Sequence, residues 1–210
     1  MRTIIAYILL LTTAFATPAV SLSTDLVSAY TFRGARLAGP SIQPTLNAQV
    51  GPTYTTLWSN QSLNGGANEV DLTLGGGVAG FDGGLTAYTY PGLSRATYEP
   101  FVGYARDLIG GIKVSLYAFR DLTLRTTSFE AKASFQLITR KRLTSTADVA
   151  VGSTRGGETP AYLYWSAGPT LRYQLSQKWA ASVAAVYTSS DAEGGERDIW
   201  SGRLGISLAF

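Results

Sequence analysis

The 210-residue chain contains no cysteine and no histidine. Without cysteine there is no disulfide framework, no thiolate metal site and no cysteine-linked lipid anchor. Without histidine the chain lacks the commonest metal ligand and the usual general base at neutral pH. Charge is also sparse. Seventeen Lys and Arg against fourteen Asp and Glu leave a net +3, too small an excess to mark a nucleic-acid surface. Long hydrophobic runs are missing too. The run at 4–11 is far shorter than the roughly 20 residues a transmembrane helix needs, and the apolar stretch at 179–187 has Ser182 inside it.

Beside these absences stand 23 glycines and 12 tyrosines, a mix that suits an exported all-β protein with many turns. Arg2, the apolar segment Ile4 to Leu11 and the small-x-small run Ala14-Phe15-Ala16 have the order of an export signal. Residues 1–16 are therefore expected to be removed, with cleavage as late as Ser21, and 17–210 to form one domain.

Period-2 alternation dominates that domain. At the C-terminal end Trp200, Gly202, Leu204, Ile206, Leu208 and Phe210 fall on one face, and Ser201, Arg203, Gly205, Ser207 and Ala209 on the other. Likewise Phe129, Ala131, Ala133, Phe135 and Leu137 oppose Glu130, Lys132, Ser134 and Gln136. No helical periodicity competes there. The pattern predicts 12 strands, at 24–33, 41–50, 53–60, 68–78, 84–90, 96–106, 111–119, 128–139, 143–152, 160–174, 179–188 and 199–210. Their connections alternate between short turns and longer polar loops. An even strand count, short turns on one side and longer loops on the other describe an up-and-down antiparallel transmembrane β-barrel with both termini periplasmic. Pro44, Pro100 and Pro169 each remove a ladder donor and are expected to mark bulges or strand irregularities.

Period 2 alone does not say which face is buried. Charges at Glu99, Lys113, Lys132 and Arg203 fall mid-strand, too many for a packed soluble core, so the apolar face is predicted to meet lipid. Trp58, Trp165, Trp179 and Trp200 are then expected in interfacial girdles. The stripe Leu204, Ile206, Leu208 and Phe210 resembles the closing-strand signal of bacterial outer-membrane barrels, which implies the barrel assembly machinery as a partner. Histidine-dependent hydrolases built on small barrels do not fit.

Several short segments resemble the TorF-type porin family: Tyr30-Thr31-Phe32-Arg33-Gly34, Trp58-Ser59-Asn60, Asn68-Glu69-Val70-Asp71, Tyr88-Thr89-Tyr90-Pro91-Gly92 and Tyr98-Glu99. They cover the N-terminal half of the chain. Pro44-Thr45 departs from the family, where glycine is common. The resemblance implies an outer-membrane location and a pore, and brings no catalytic site.

A barrel of this size has a modest lumen. The expected pore-lining residues are Glu69, Asp71, Glu99, Lys113, Glu130, Lys132, Asp148, Arg203 and Arg33. Glu69, Asp71 and Glu99 are placed on one wall, with Arg33 and Arg203 nearly opposite, so that acids face bases across a constriction passing small polar or charged solutes. Lateral pairing among Lys113, Glu130, Lys132 and Asp148 would instead plug the barrel. A pair between Arg33 and a nearby carboxylate would anchor a loop. An acid–base role for Glu69 and Asp71 lacks a nearby nucleophile or base. No metal, cofactor or nucleic acid is expected; lipid and small solutes are.

Overall fold

The computed structural model describes residues 18–92, 96–157 and 159–210. The export-signal reading at 1–16 and part of the loop at 91–95 lie outside the described residues. Fourteen strands follow in chain order: β1 Ala19–Val27, β2 Tyr30–Phe32, β3 Ala35–Ala38, β4 Ser41–Val50, β5 Thr53–Ser62, β6 Glu69–Val78, β7 Phe81–Thr89, β8 Ala96–Asp107, β9 Ile112–Arg120, β10 Thr126–Arg140, β11 Leu143–Gly156, β12 Thr159–Gln174, β13 Trp179–Ser190 and β14 Asp198–Ala209. Twelve of them close a barrel, each beside its sequence neighbour, with β14 returning to β1. All the wall pairs are antiparallel; Ser21 faces Ala209 and Val27 faces Arg203 across the seam. Closure leaves no sheet edge, the condition a β-structure must meet in lipid.

The remaining two strands, β2 and β3, form a separate two-stranded sheet. The sequence pattern carries strand 1 to residue 33. In the structure β1 ends at Val27, and the alternation beyond it belongs to this hairpin. The other wall strands lie within four residues of their expected bounds, the largest gap being β11, which runs on to Gly156. The prolines keep register, Pro44 with Thr24, Pro100 with Leu85 and Pro169 with Ala147, and two of them mark ladder gaps rather than bulges: the β4–β5 ladder skips Gln43 and Pro44, and the β12–β13 ladder skips Gly168 and Pro169. The register shifts between Gln136 and Ile138 and between Thr154 and Gly156 instead.

Burial is inverted relative to a soluble protein. Leu116, Leu163 and Leu204 are 62%, 63% and 58% exposed, whereas Asn60, Glu69 and Glu99 are 0%, 2% and 3% exposed. The outward positions form an apolar belt and the inward ones a polar lumen. Such a surface is stable only when lipid or detergent covers it. Trp165, Tyr187 and Trp200 pack ring to ring at 5.1 and 5.0 Å on that outward face at the loop end. Trp179 lies on the same face at the turn end, opposite Leu208.

Inside, three tyrosines share one device. Tyr54 faces Gly75, Tyr117 faces Gly103 and Tyr164 faces Gly152 on the neighbouring strand. In each pair the ring occupies the space a side chain at the glycine would take. Aromatic cover of a strand glycine fixes register and flattens the ring against the wall. It also aims each hydroxyl along the wall at a carboxylate: Tyr54 and Tyr117 donate to Asp82, and Tyr164 to Glu130 at 2.8 Å.

Candidate functional site: a hairpin docked in the barrel mouth

The hairpin of β2 and β3 leaves the wall between β1 and β4 and folds into the lumen. Its turn is Arg33-Gly34, with φ of +46° and +81°. Two consecutive positive φ values are the signature of the two-residue turn that matches strand twist. Glycine adopts that conformation freely. Arginine rarely does, and the tip is held there by what it touches.

Arg33 reaches the far wall. Its Nη1 and Nη2 donate to Glu99 Oε2 and Oε1 at 2.6 and 2.7 Å. Nη1 also approaches Ser128 Oγ at 3.4 Å. The guanidinium lies 4.0 Å from the Phe119 ring centre and 4.6 Å from that of Phe32. Tyr88 donates to Glu99 Oε1 at 2.9 Å, completing the carboxylate's partners. Both charged side chains are more than nine-tenths buried. In the twelve-strand ring β9, which carries Phe119, stands six places from β1 in either direction. The Arg33 side chain therefore reaches the wall opposite β1, while the Gly34 backbone stays beside β12 and β13.

The flanks are braced as well. Tyr30 donates to Glu69 Oε2 at 2.8 Å, and its ring sits 5.4 Å from that of Trp58. Burial first, and then the Glu69 carboxylate, push the Tyr30 phenol far above its usual range, so it remains a donor. Phe32 meets Tyr88 edge-on at 6.0 Å. Gly34 lies against Tyr164 and Ser190; a Cβ there would stand 2.5 Å from that of Tyr164. At the loop surface Arg36 pairs with Glu196 at 2.8 Å. The hairpin is thus a crossbar fastened to walls on both sides.

Every expected pore-lining residue on a wall strand has the inward parity. Their pairings differ from the expectation of acids facing bases across open space. Arg33 is not on the wall; the hairpin delivers it into direct contact with Glu99. Arg203 pairs beside itself, with Asp25 of β1 at 4.0 Å, because Val27 and Gly205 bring the two strands into register there. Lys132 and Asp148 form the lateral pair at 3.5 Å across β10 and β11. Glu130 is engaged by Tyr164 rather than by a lysine. Lys113, near the turn end of β9, has no ion pair among the described residues. Asp71 carries a buried oxygen with no hydrogen-bond partner among them.

Trp58 corrects a sequence expectation. It pairs with Thr45 and Asp71, both inward, so it supports the hairpin from inside the lumen and is not part of a girdle. Sequence reasoning also missed Asp25, Asp82, Tyr54 and Tyr164; Tyr30 stands only in a family-like segment, and Tyr117 is expected only as bulk in the lumen. The short alternation around Arg33-Gly34 was the available signal for a hairpin. Below the crossbar, Asp25, Arg172, Gln174, Ser182 and Arg203 line a cavity of about 410 Å³ toward the turn end.

No family model matches the chain, and neither does the sequence of any curated protein. Solved structures do match it in fold. A KdgM porin in complex with disordered oligogalacturonate is 10% identical, with 91% of this chain and 99% of that one covered and a TM-score of 0.63. A NanC porin is 11% identical, with 90% and 98% covered and a TM-score of 0.58. The translocator domain of the autotransporter NalP from Neisseria meningitidis is 14% identical, with 92% and 88% covered and a TM-score of 0.56. The architecture is that of bacterial outer-membrane barrels.

Proposed function

We propose that this chain is a porin-like channel of the bacterial outer membrane, passing small polar or charged solutes, and that it rests closed. The inverted barrel carries this reading: an apolar belt outside, a lumen lined by acidic, basic and hydroxylated side chains, and a crossbar docked at the loop end. A barrel serving only as an anchor has no need of a charged lumen below a closed mouth, and the cavity beside Arg172 and Arg203 is such a lumen. The KdgM neighbour holds an oligogalacturonate, which supports polar solutes as the class of cargo. The segments that resemble TorF-type porins supply Tyr30, Arg33, Trp58, Glu69, Tyr88 and Glu99, the residues that fasten the hairpin. That convergence supports the finer family assignment.

The test is conductance in planar bilayers. The native barrel is expected to show little current. Replacing residues 30–38 with a short Gly-Ser linker is expected to give stable open-channel steps. A correctly folded linker variant that carries no current would leave a plugged, anchoring barrel as the better reading.

A further inference from the structure

The Glu99 pocket has the chemistry of a binding site. Its carboxylate is almost wholly buried and oriented by Tyr88, and the guanidinium that fills it also meets Ser128 and the face of the Phe119 ring. A planar fork that donates two parallel hydrogen bonds and stacks on an aromatic face satisfies all of it. An ammonium supplies neither the fork nor the stacking plane. What fills the pocket is the protein's own guanidinium, carried on a short hairpin of a kind that is marginal by itself.

We propose that the Glu99 pocket is a guanidinium-recognition site that Arg33 occupies in cis, and that solutes bearing a guanidinium compete with the hairpin tip for it. Displacement frees the crossbar at its far end. The wall below the pocket continues the same chemistry. Phe119 stacks on Tyr117 at 5.8 Å with the rings 20° apart, Phe101 lies 6.3 Å from both, and Tyr117 ends on Asp82. A planar cation leaving Glu99 meets aromatic faces and then a second carboxylate, an arrangement that favours cations over aromatic rings. The binding claim stands on the pocket alone. Its consequence for passage rests on the channel reading above.

The test uses the full chain in detergent micelles, with methylguanidinium and methylammonium as probes and calorimetry as the readout. Arg33→Ala empties the pocket. It is expected to bind methylguanidinium at least tenfold more tightly than methylammonium, and Arg33→Ala/Glu99→Gln at least tenfold more weakly than Arg33→Ala. Folded Arg33→Ala that binds neither cation, or both equally, overturns the proposal. If Arg33→Ala fails to fold, the native chain decides. Methylguanidinium at tens of millimolar, against a tethered competitor of roughly millimolar effective concentration, is expected to expose the Arg36 bond to trypsin where methylammonium does not; equal protection with both overturns it. Binding without current in the linker variant would refute the channel and leave the site standing. Current without binding would do the reverse.

Discussion

Arg33 and Glu99, 66 residues apart in sequence, meet through two hydrogen bonds of 2.6 and 2.7 Å at the β8 wall of the barrel mouth. Neither is on the same wall: one is carried in by a hairpin and the other stands on β8. The pair holds a movable element to a rigid one, so its strength sets how firmly the mouth is closed.

Glu99→Gln removes the charge and one of the two acceptors. Arg33 is left buried without its counter-ion, a state that costs about 3–5 kcal/mol in comparable buried pairs. The expected relief is undocking of the hairpin while the barrel remains folded. Trypsin should then cut after Arg33 and Arg36 faster than in the native protein, while the barrel strands remain resistant. Continued protection of Arg33 would mean that the remaining contacts are sufficient without the ion pair.

Tyr30→Phe tests the second fastening. Glu69 loses the phenolic donor and remains buried, at about 1–3 kcal/mol for an unmet hydrogen bond. The pH dependence has a definite sign. Docking raises the Tyr30 phenol above its ordinary value of 10.0, through burial and then through Glu69. The docked state therefore holds the proton more tightly than the free hairpin. The Tyr30 contribution is constant below pH 10 and declines as pH rises beyond it. Hydrogen exchange of the hairpin amides should loosen above pH 10 in the native protein, and Tyr30→Phe should flatten that dependence.

Much of this architecture was legible because the barrel repeats one local rule. The alternation of Trp200 to Phe210 against Ser201 to Ala209, and the regular exchange of short turns and longer loops, depend only on neighbouring residues. The mouth was not legible by the same rule. Tyr30 and Phe32 alternate just as wall residues do, so the pattern carried strand 1 past Val27 and into the hairpin. Only three-dimensional closure shows that Arg33 lands on Glu99. Trp58 misled for a related reason: an aromatic near a strand end suits an interface, and only its parity with Thr45 and Asp71 reveals that it faces a hairpin. The candidate wall charges were found by type and parity. Their partners were set by cross-strand register and by the tyrosines lying over glycines.

The two faces of β14 should respond oppositely to charge. Leu204 is exposed on the apolar belt, and its chain neighbour Arg203 points into the lumen beside Asp25. Leu204→Arg is expected to destabilise the barrel by about 2–4 kcal/mol, the cost of arginine near the bilayer midplane. Arg203→Gln, whose partner is at 4.0 Å and part-exposed, should change stability by less than about 1 kcal/mol. Urea unfolding from lipid vesicles measures both. Equal effects would contradict the assignment of lipid and lumen faces.

Phe210 separates assembly from stability. Its side chain is 67% exposed on the apolar belt, and its N–H donates to the Val20 carbonyl at 3.0 Å, beside the seam where β14 meets β1. Phe210→Ala preserves that backbone bond and removes only an aromatic ring facing lipid. If the stripe from Leu204 to Phe210 is what assembly machinery reads, the variant should reach the outer membrane in severalfold lower yield. Its urea unfolding after refolding into detergent should match the native barrel within about 1 kcal/mol, the ordinary range for a surface change. Equal loss in both assays would make the ring a structural part of the seam, and an unchanged cellular yield would remove the stripe as a recognition element.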